Sequence, residues 1–334
     1  MRRPLVLALA LVLTAAVGAS AATGTPIPWP KLRNPILQAA DRALKDPAIV
    51  RANGRWWALF SAVDHTGSWR IGTASSRDFR HWTIGADMPH DPTIGGEASP
   101  DVVRAPDGGF VVTYQSFVHD AGGAQAKLYY RTTDDFRTFS PPHPLAHELH
   151  PGVTERMIDA ALVWSPAGLL LGYKTGTPDG VQQFEIARSA GGTLDGPWTP
   201  VGAPDISVFT NTIENFQFLH LNGHWMLLAT TNSFDKPYLL TVRGDPTDPG
   251  SWLHWSKGRL LDVPQEAWNP GRGSTGVTFE HANCAFVIDG RRIGAYYYLV
   301  FADAPELTEF GSAGHDVLAV ARSRDLTHWT VPPH

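Results

Sequence analysis

The sequence is short of cysteine, of charge and of long apolar runs. Cys284 is the single cysteine among 334 residues. No internal disulfide can form, so the fold has to rest on its core. Charged residues make up 18% and Lys+Arg (27) trail Asp+Glu (32), leaving a net charge of −5. That balance provides no basic surface for nucleic acid. Low charge beside 12 Trp is also not the composition of a disordered chain. Helix-type runs of Glu and Lys are scarce, whereas Gly (32) and Pro (27) are spread along the chain. This leans towards β structure.

One apolar run stands out. Arg2 and Arg3 precede Leu5 to Val17, and Gly18-Ala19-Ser20-Ala21 follows. A positive start, a short apolar stretch and an Ala-x-Ala site describe an export signal. The run is shorter than the ~20 residues of a spanning helix. The expectation is cleavage after Ala21, a secreted mature chain from residue 22, and no membrane contact in that form. Cys284 lies in an apolar context and is expected to be a buried, inert thiol.

Two series of repeats run in the same phase. The first consists of turn signals between apolar, strand-like runs: Asn53-Gly54, Asp107-Gly108-Gly109, Pro166-Ala167-Gly168, Asn222-Gly223 and Asp289-Gly290. Asn-Gly and Asp-Gly supply the positive φ angles of tight hairpins. The second pairs a polar turn with an aromatic strand, clearest at Ser76-Arg77-Asp78-Phe79, Thr133-Asp134-Asp135-Phe136 and Ser323-Arg324-Asp325-Leu326. Its anchors are Trp82, Phe139, Trp198, Trp255 and Trp329. Two hairpins per unit and five units predict an all-β, five-bladed propeller of four-stranded blades, filling residues 22–334 as one domain. Residues 22–40 read as a lead-in that closes the ring.

In a propeller the innermost strands line the central channel. The polar residues before those strands are Asp46, Asp101, Asp159, Glu214 and His281. Any one carboxylate there could simply tie down a turn. Clustered carboxylates of unequal acidity also suit glycoside hydrolysis, which needs one protonated and one ionised carboxyl. A hard cation held by oxygen ligands and His281 is the rival use of the cluster. No compact metal motif is present.

These residues resemble those of the five-bladed propeller glycosidases of glycoside hydrolase families 43 and 62. Lys45-Asp46-Pro47-Ala48 is similar to the Asp-Pro strand of blade one, Ser99-Pro100-Asp101-Val102 to the Ala-Pro strand of blade two, and Ile158-Asp159-Ala160 to the Ile-Asp-Pro element. Ile213-Glu214-Asn215 resembles the Glu-Gly-Pro element, and His281 the blade-five histidine that in relatives holds calcium or water. The resemblance implies inversion, with Asp46 as general base, Glu214 as general acid and Asp159 as pKa modulator. No cofactor is implied beyond a structural calcium in the channel at His281. Ala160 and Asn215-Phe216 depart from the family pattern and alter walls rather than carboxylates.

Second strands return to the same mouth, which nominates Asp64, His65, Gln115, Lys174, Asn232 and Asp303 as neighbours of the sugar. Trp69, Phe117 and Phe234 are candidate stacking rings. Asp101, Gln115, Lys174, Asn232 and His281 are the expected substrate contacts. The expectation is a monomer acting on a polysaccharide or oligosaccharide with arabinose or xylose linkages, first of all an α-L-arabinofuranosidase. A non-catalytic sugar-binding propeller, or a propeller glycosidase for another sugar, is the alternative.

Overall fold

The computed structural model describes residues 26–117, 126–152, 155–176, 182–204, 213–231, 236–266, 268, 282–303 and 316–333. The expected export signal, Asn232, Phe234 and His281 lie outside the described residues.

Five four-stranded antiparallel sheets follow one another along the chain. Blade one is β1 (Arg42–Ala52), β2 (Arg55–Asp64), β3 (Trp69–Ser76) and β4 (Trp82–Ile84). Blade two is β5 (Gly96–Arg104), β6 (Phe110–Phe117), β7 (Lys127–Thr133) and β8 (His143–Pro144). Blade three is β9 (Arg156–Ser165), β10 (Gly168–Gly176), β11 (Gln182–Ser189) and β12 (Trp198–Gly202). Blade four is β13 (Ile213–Leu221), β14 (His224–Thr231), β15 (Lys236–Thr241) and β16 (Arg259–Leu260). Blade five is β17 (Asn283–Asp289), β18 (Tyr297–Asp303), β19 (Val317–Ser323) and β20 (Trp329–Thr330). Strand order within every blade is sequence order. The inner strands β1, β5, β9, β13 and β17 each touch the next, and β17 touches β1, so the ring is closed.

The hairpin signals act as their chemistry dictates. Asn53-Gly54 and Asn222-Gly223 turn with both residues at positive φ, the geometry of a two-residue hairpin. Asp289-Gly290 differs. Gly290 has φ −91, and a one-turn helix α1 (Arg291–Gly294) intervenes before β18. Arg291 pairs with Asp289 there, which favours the longer connection.

The second series forms a plug in the outer turn of three blades. Asp78, Asp135 and Asp325 each accept two backbone N–H groups, from Arg80 and His81, Arg137 and Thr138, and Thr327 and His328. The next residue (Phe79, Phe136, Leu326) adopts a left-handed conformation and drives an apolar side chain inward. Phe79 meets Trp56 and Trp82 edge-on at 5.0 and 5.3 Å. Burying such a ring is worth ~1.5–3 kcal/mol, enough to hold a left-handed residue in place.

The lead-in is pinned to blade five. Leu37 bridges Leu318, and Asn34 exchanges side-chain hydrogen bonds with both backbone groups of Val320. Leu44 N–H donates to Asp316 O at 3.1 Å. The first strand and the last blade are thereby fastened together.

Candidate active site

All five inner strands carry a β-bulge at the same point. Pairing with the second strand skips between Lys45 and Ala48, Ala98 and Asp101, and Glu214 and Gln217. It skips likewise after Ile158 and after Asn283. Within each bulge one non-glycine residue is left-handed: Asp46 (φ 51), Ser99 (φ 50), Asp159 (φ 55), Asn215 (φ 52) and Cys284 (φ 47). A bulge re-aims a side chain that regular pleating would send elsewhere. All five line one small cavity of about 20 Å³ on the axis.

The bulge corrects the expected ring. In blade two the ring position belongs to Ser99, and Asp101 sits two residues further along. In blade four it belongs to Asn215, and Glu214 precedes it. In blade five Cys284 holds it, with its thiol buried as expected. Burial, and then the neighbouring Asp46 carboxylate, push that thiol well above its ordinary range. The extra residue in each bulge explains the slip, because it changes the phase that a strict period of two would keep.

Above the ring lies a cavity of about 430 Å³. Asp46, Asp159 and Glu214, from blades one, three and four, all line it, together with Lys45, Ser99, Gln115, Arg156 and Asn215. Trp69 and Phe117 form an apolar wall, edge to face with centroids 5.9 Å apart. A Cβ on Gly96 would lie 3.2 Å from Phe117 and 3.3 Å from Trp69, so glycine lets those rings close over β5.

Asp46 is surrounded by donors. Its Oδ2 accepts from Ser61 Oγ at 2.6 Å and Ser99 Oγ at 3.3 Å, and its Oδ1 from Asn215 Nδ2 at 2.7 Å. Lys45 Nζ stands 3.8 Å from Oδ1. Burial disfavours the charge on Lys45, but the Asp46 carboxylate, helped by Glu214 and Asp159, outweighs it and raises the pKa of the amine. Lys45 therefore stays a cation.

Lys174 joins the other two carboxylates. Its ammonium is 3.0 Å from Glu214 Oε2 and 3.7 Å from Asp159 Oδ2, and its side chain is only 2% exposed. Burial raises the pKa of Asp159; Lys174 opposes the shift, and Glu214 and Asp46 add to it. Lys174 thus bridges the two carboxylates from blades three and four.

The register explains why Lys174 is there. Ser61, Gln115 and Lys174 occupy one position of the second strand, opposite Lys45, Ala98 and Ile158. Each reaches the bulge of the following blade. Ser61 Oγ accepts from Ser99 N–H at 2.7 Å, Gln115 Oε1 accepts from Asp159 N–H at 2.7 Å, and Lys174 pairs with Glu214.

The remaining nominees are placed elsewhere. Asp101 is buried below the large cavity and accepts from Leu162 N–H at 3.4 Å. Burial pushes its pKa up to about 7, against the backbone N–H groups of Val102 and Leu162. It does not line the larger cavity, where Ser99 stands instead. Asp64 caps its own turn through Thr66 and Ser68, and His65 is exposed beside it. Asp303 Oδ2 accepts from Ala282 N–H at 3.5 Å. Lys45, Ser99, Arg156 and Asn215 were not nominated. Arg156 and Ile158 alternate onto one face of β9, and that phase was the available signal for Arg156.

His281, where a structural calcium is expected, lies outside the described residues. Among the described residues no three His, Cys, Asp or Glu side chains converge as ligands. In blade five the ring position is a protonated thiol, a poor partner for a hard cation.

No family model and no curated protein matches the sequence. Solved structures do match in shape. An α-L-arabinofuranosidase from Lactobacillus brevis aligns with TM-score 0.61 at 16% identity, covering 91% of this chain and 98% of that one. The fold is that of the five-bladed propeller glycoside hydrolases. A thermostable family-43 glycoside hydrolase aligns with TM-score 0.61 at 13% identity over 91% and 96% of the two chains. A structure from the mannoside phosphorylase family 130, which contains hydrolases of β-1,2-mannosidic linkages, reaches 0.59 at 14% identity over 93% and 97%.

Proposed function

We propose that the chain is an inverting glycoside hydrolase. The observation that carries this reading is that Asp46, Asp159 and Glu214, from three blades, line one cavity large enough for a sugar. In this reading Asp46 takes a proton from an attacking water. Its lone pairs already accept from Ser61, Ser99 and Asn215, which fixes the orientation of the carboxylate. Glu214 gives its proton to the leaving oxygen. Its side chain is 30% exposed, against 2% for Asp46, so it is open to a leaving group. Asp159 and Lys174 complete the set that holds the proton, and positioned acid–base groups of this kind contribute ~10²–10⁴-fold each.

The substrate is proposed to be an arabinose- or xylose-containing glycan, with α-L-arabinofuranoside cleavage first. The Trp69–Phe117 wall supports a flat sugar ring, and the residues around Asp46, Asp159 and Glu214 resemble the arabinose- and xylose-acting families. The leader-like residues 1–21 support export and action outside the cell. Hydrolysis of aryl α-L-arabinofuranosides and arabinoxylan, with the first-formed anomer read by proton NMR, tests the reading. Inverted product is expected. Retained product would remove the assignment of Asp46 as a base, and sugar binding without release would make the chain a binding propeller.

A further inference from the structure

Arg156 opens β9 and lines the 430 Å³ cavity two residues before Ile158. Its stem lies across Gly176, the residue opposite it on β10, with Arg156 Cδ 3.5 Å from where a Cβ would be. The stem packs on that glycine at ordinary contact distance, and Arg156 forms part of the cavity wall. Its Nε is shielded from solvent and has no hydrogen-bond partner.

Three other arginines have a shielded Nε without a hydrogen bond, but their guanidinium groups have other contacts. Arg131 donates to Ser140 O, Arg51 lies over Trp56, and Arg322 lies over Trp29 and Tyr296. Arg156 has no hydrogen bond, ion pair or aromatic face among the described residues. The carboxylates of the cavity are committed elsewhere: Asp46 to Ser61, Ser99, Asn215 and Lys45, and Asp159 and Glu214 to Lys174. A guanidinium is a planar fork that matches a carboxylate with two parallel hydrogen bonds. Holding one at a partly buried wall without a partner among the described residues costs desolvation, and an anionic group on the ligand would offset it.

We infer that Arg156 is a specificity-determining residue that takes the carboxylate of a uronic acid, so that the site favours acidic glycans over neutral ones. The inference rests on the glycosidase reading for the sugar and adds the charge of the sugar. Trp69 and Phe117 would face a ring while Arg156 fixes the acid group, and both features line the same cavity.

The test compares glucuronoarabinoxylan with its carboxyl-reduced form, in which uronic acids have become neutral sugars. Affinity is measured with the Asp46→Asn variant, and cleavage with the unmodified protein. The native polymer is expected to bind roughly tenfold tighter or more, the range of a charge-assisted hydrogen-bond pair. Arg156→Gln should erase that preference while keeping the affinity for the reduced polymer. Arg156→Lys should keep part of it, because the charge remains and the fork is lost. Equal binding of both polymers, or a preference that survives Arg156→Gln, overturns the inference. Competition by millimolar inorganic phosphate with a sugar phosphate as product also overturns it, since the guanidinium would then serve phosphate. The two readings fail separately. Preference without any sugar release sinks the hydrolase and leaves the acidic ligand, whereas equal cleavage of both polymers does the reverse.

Discussion

Two repeated backbone features mark the blades, one in the outer turns and one at the inner bulges. In the outer turns, Asp78, Asp135 and Asp325 do the same thing three times, each accepting two backbone N–H groups ahead of a left-handed apolar plug. At the inner bulges the backbone is repeated five times but the side chain is not: Asp46, Ser99, Asp159, Asn215 and Cys284. Where the repeat serves the fold, chemistry and backbone recur together. Where it serves a site, the backbone recurs and the side chains diverge.

The electrostatics divide in the same way. The outer carboxylates are held below their usual range: Asp135 and Asp325 chiefly by the hydrogen bonds they accept, and Asp78 by hydrogen bonds that overcome a larger cost of burial. Asp159 is shifted upward, with burial as the leading cause. A lowered carboxylate stabilises the fold above its unfolded pKa, and that stability is lost as pH falls through the folded value. A raised one costs stability as pH climbs from the unfolded value near 3.8 towards the folded one, because the unfolded chain then binds fewer protons.

Substitutions should therefore have opposite signatures in the two sets. Asp159→Asn is expected to lower kcat by about 10²-fold or more while raising the melting temperature at neutral pH. A fall in both would remove the contrast. Lys174→Met is expected to cost ~3–5 kcal/mol in denaturant unfolding, because it strands two carboxylates beside a buried site. A neutral result would mean that Asp159 and Glu214 do not depend on that ammonium. Asp78→Ala should cost about 1 kcal/mol through its lost backbone hydrogen bonds, with kcat/KM unchanged.

A separate, pH-dependent effect belongs to the buried carboxylates that neither cap a turn nor line the large cavity. Burial pushes Asp101 and Glu97 each up to about 7. The folded chain keeps these protons between about pH 4 and 7 while the unfolded chain has released them, so stability falls across that window. Asp101→Asn and Glu97→Gln should each flatten the melting temperature against pH between 4.5 and 7.5. A slope unchanged by both variants would place the titration elsewhere.

The blades were legible in the sequence because their signals are local. Asn53-Gly54 and the Ser76-to-Phe79 turn each fix a backbone over a few residues, and the same signals recur. The site was legible by residue type, and less so by position. Asp46 and Asp159 are at the ring phase, but Asp101 is not, since the bulge at Ser99 adds a residue that no hydrophobic alternation marks. Arg156 reads in sequence as an ordinary charge ahead of a strand. Its place in the cavity wall follows from the pairing of β9 with β10, which sets it opposite Gly176, and only the register reveals that. Lys174 did stand out, as a charge inside the apolar run from Leu169 to Tyr173. Its partner in the next blade followed only from the closed ring.

In the proposed mechanism three carboxylates from three blades act together on a glycosidic bond. That mechanism is tested most directly by sugar release from an arabinoxylan and arabinan panel, comparing the unmodified chain with Asp46→Ala and Glu214→Ala. The expected result is free arabinose or xylose from the unmodified chain and a loss of at least about 10²-fold in both variants, each still folded. Release that survives both substitutions would contradict the account.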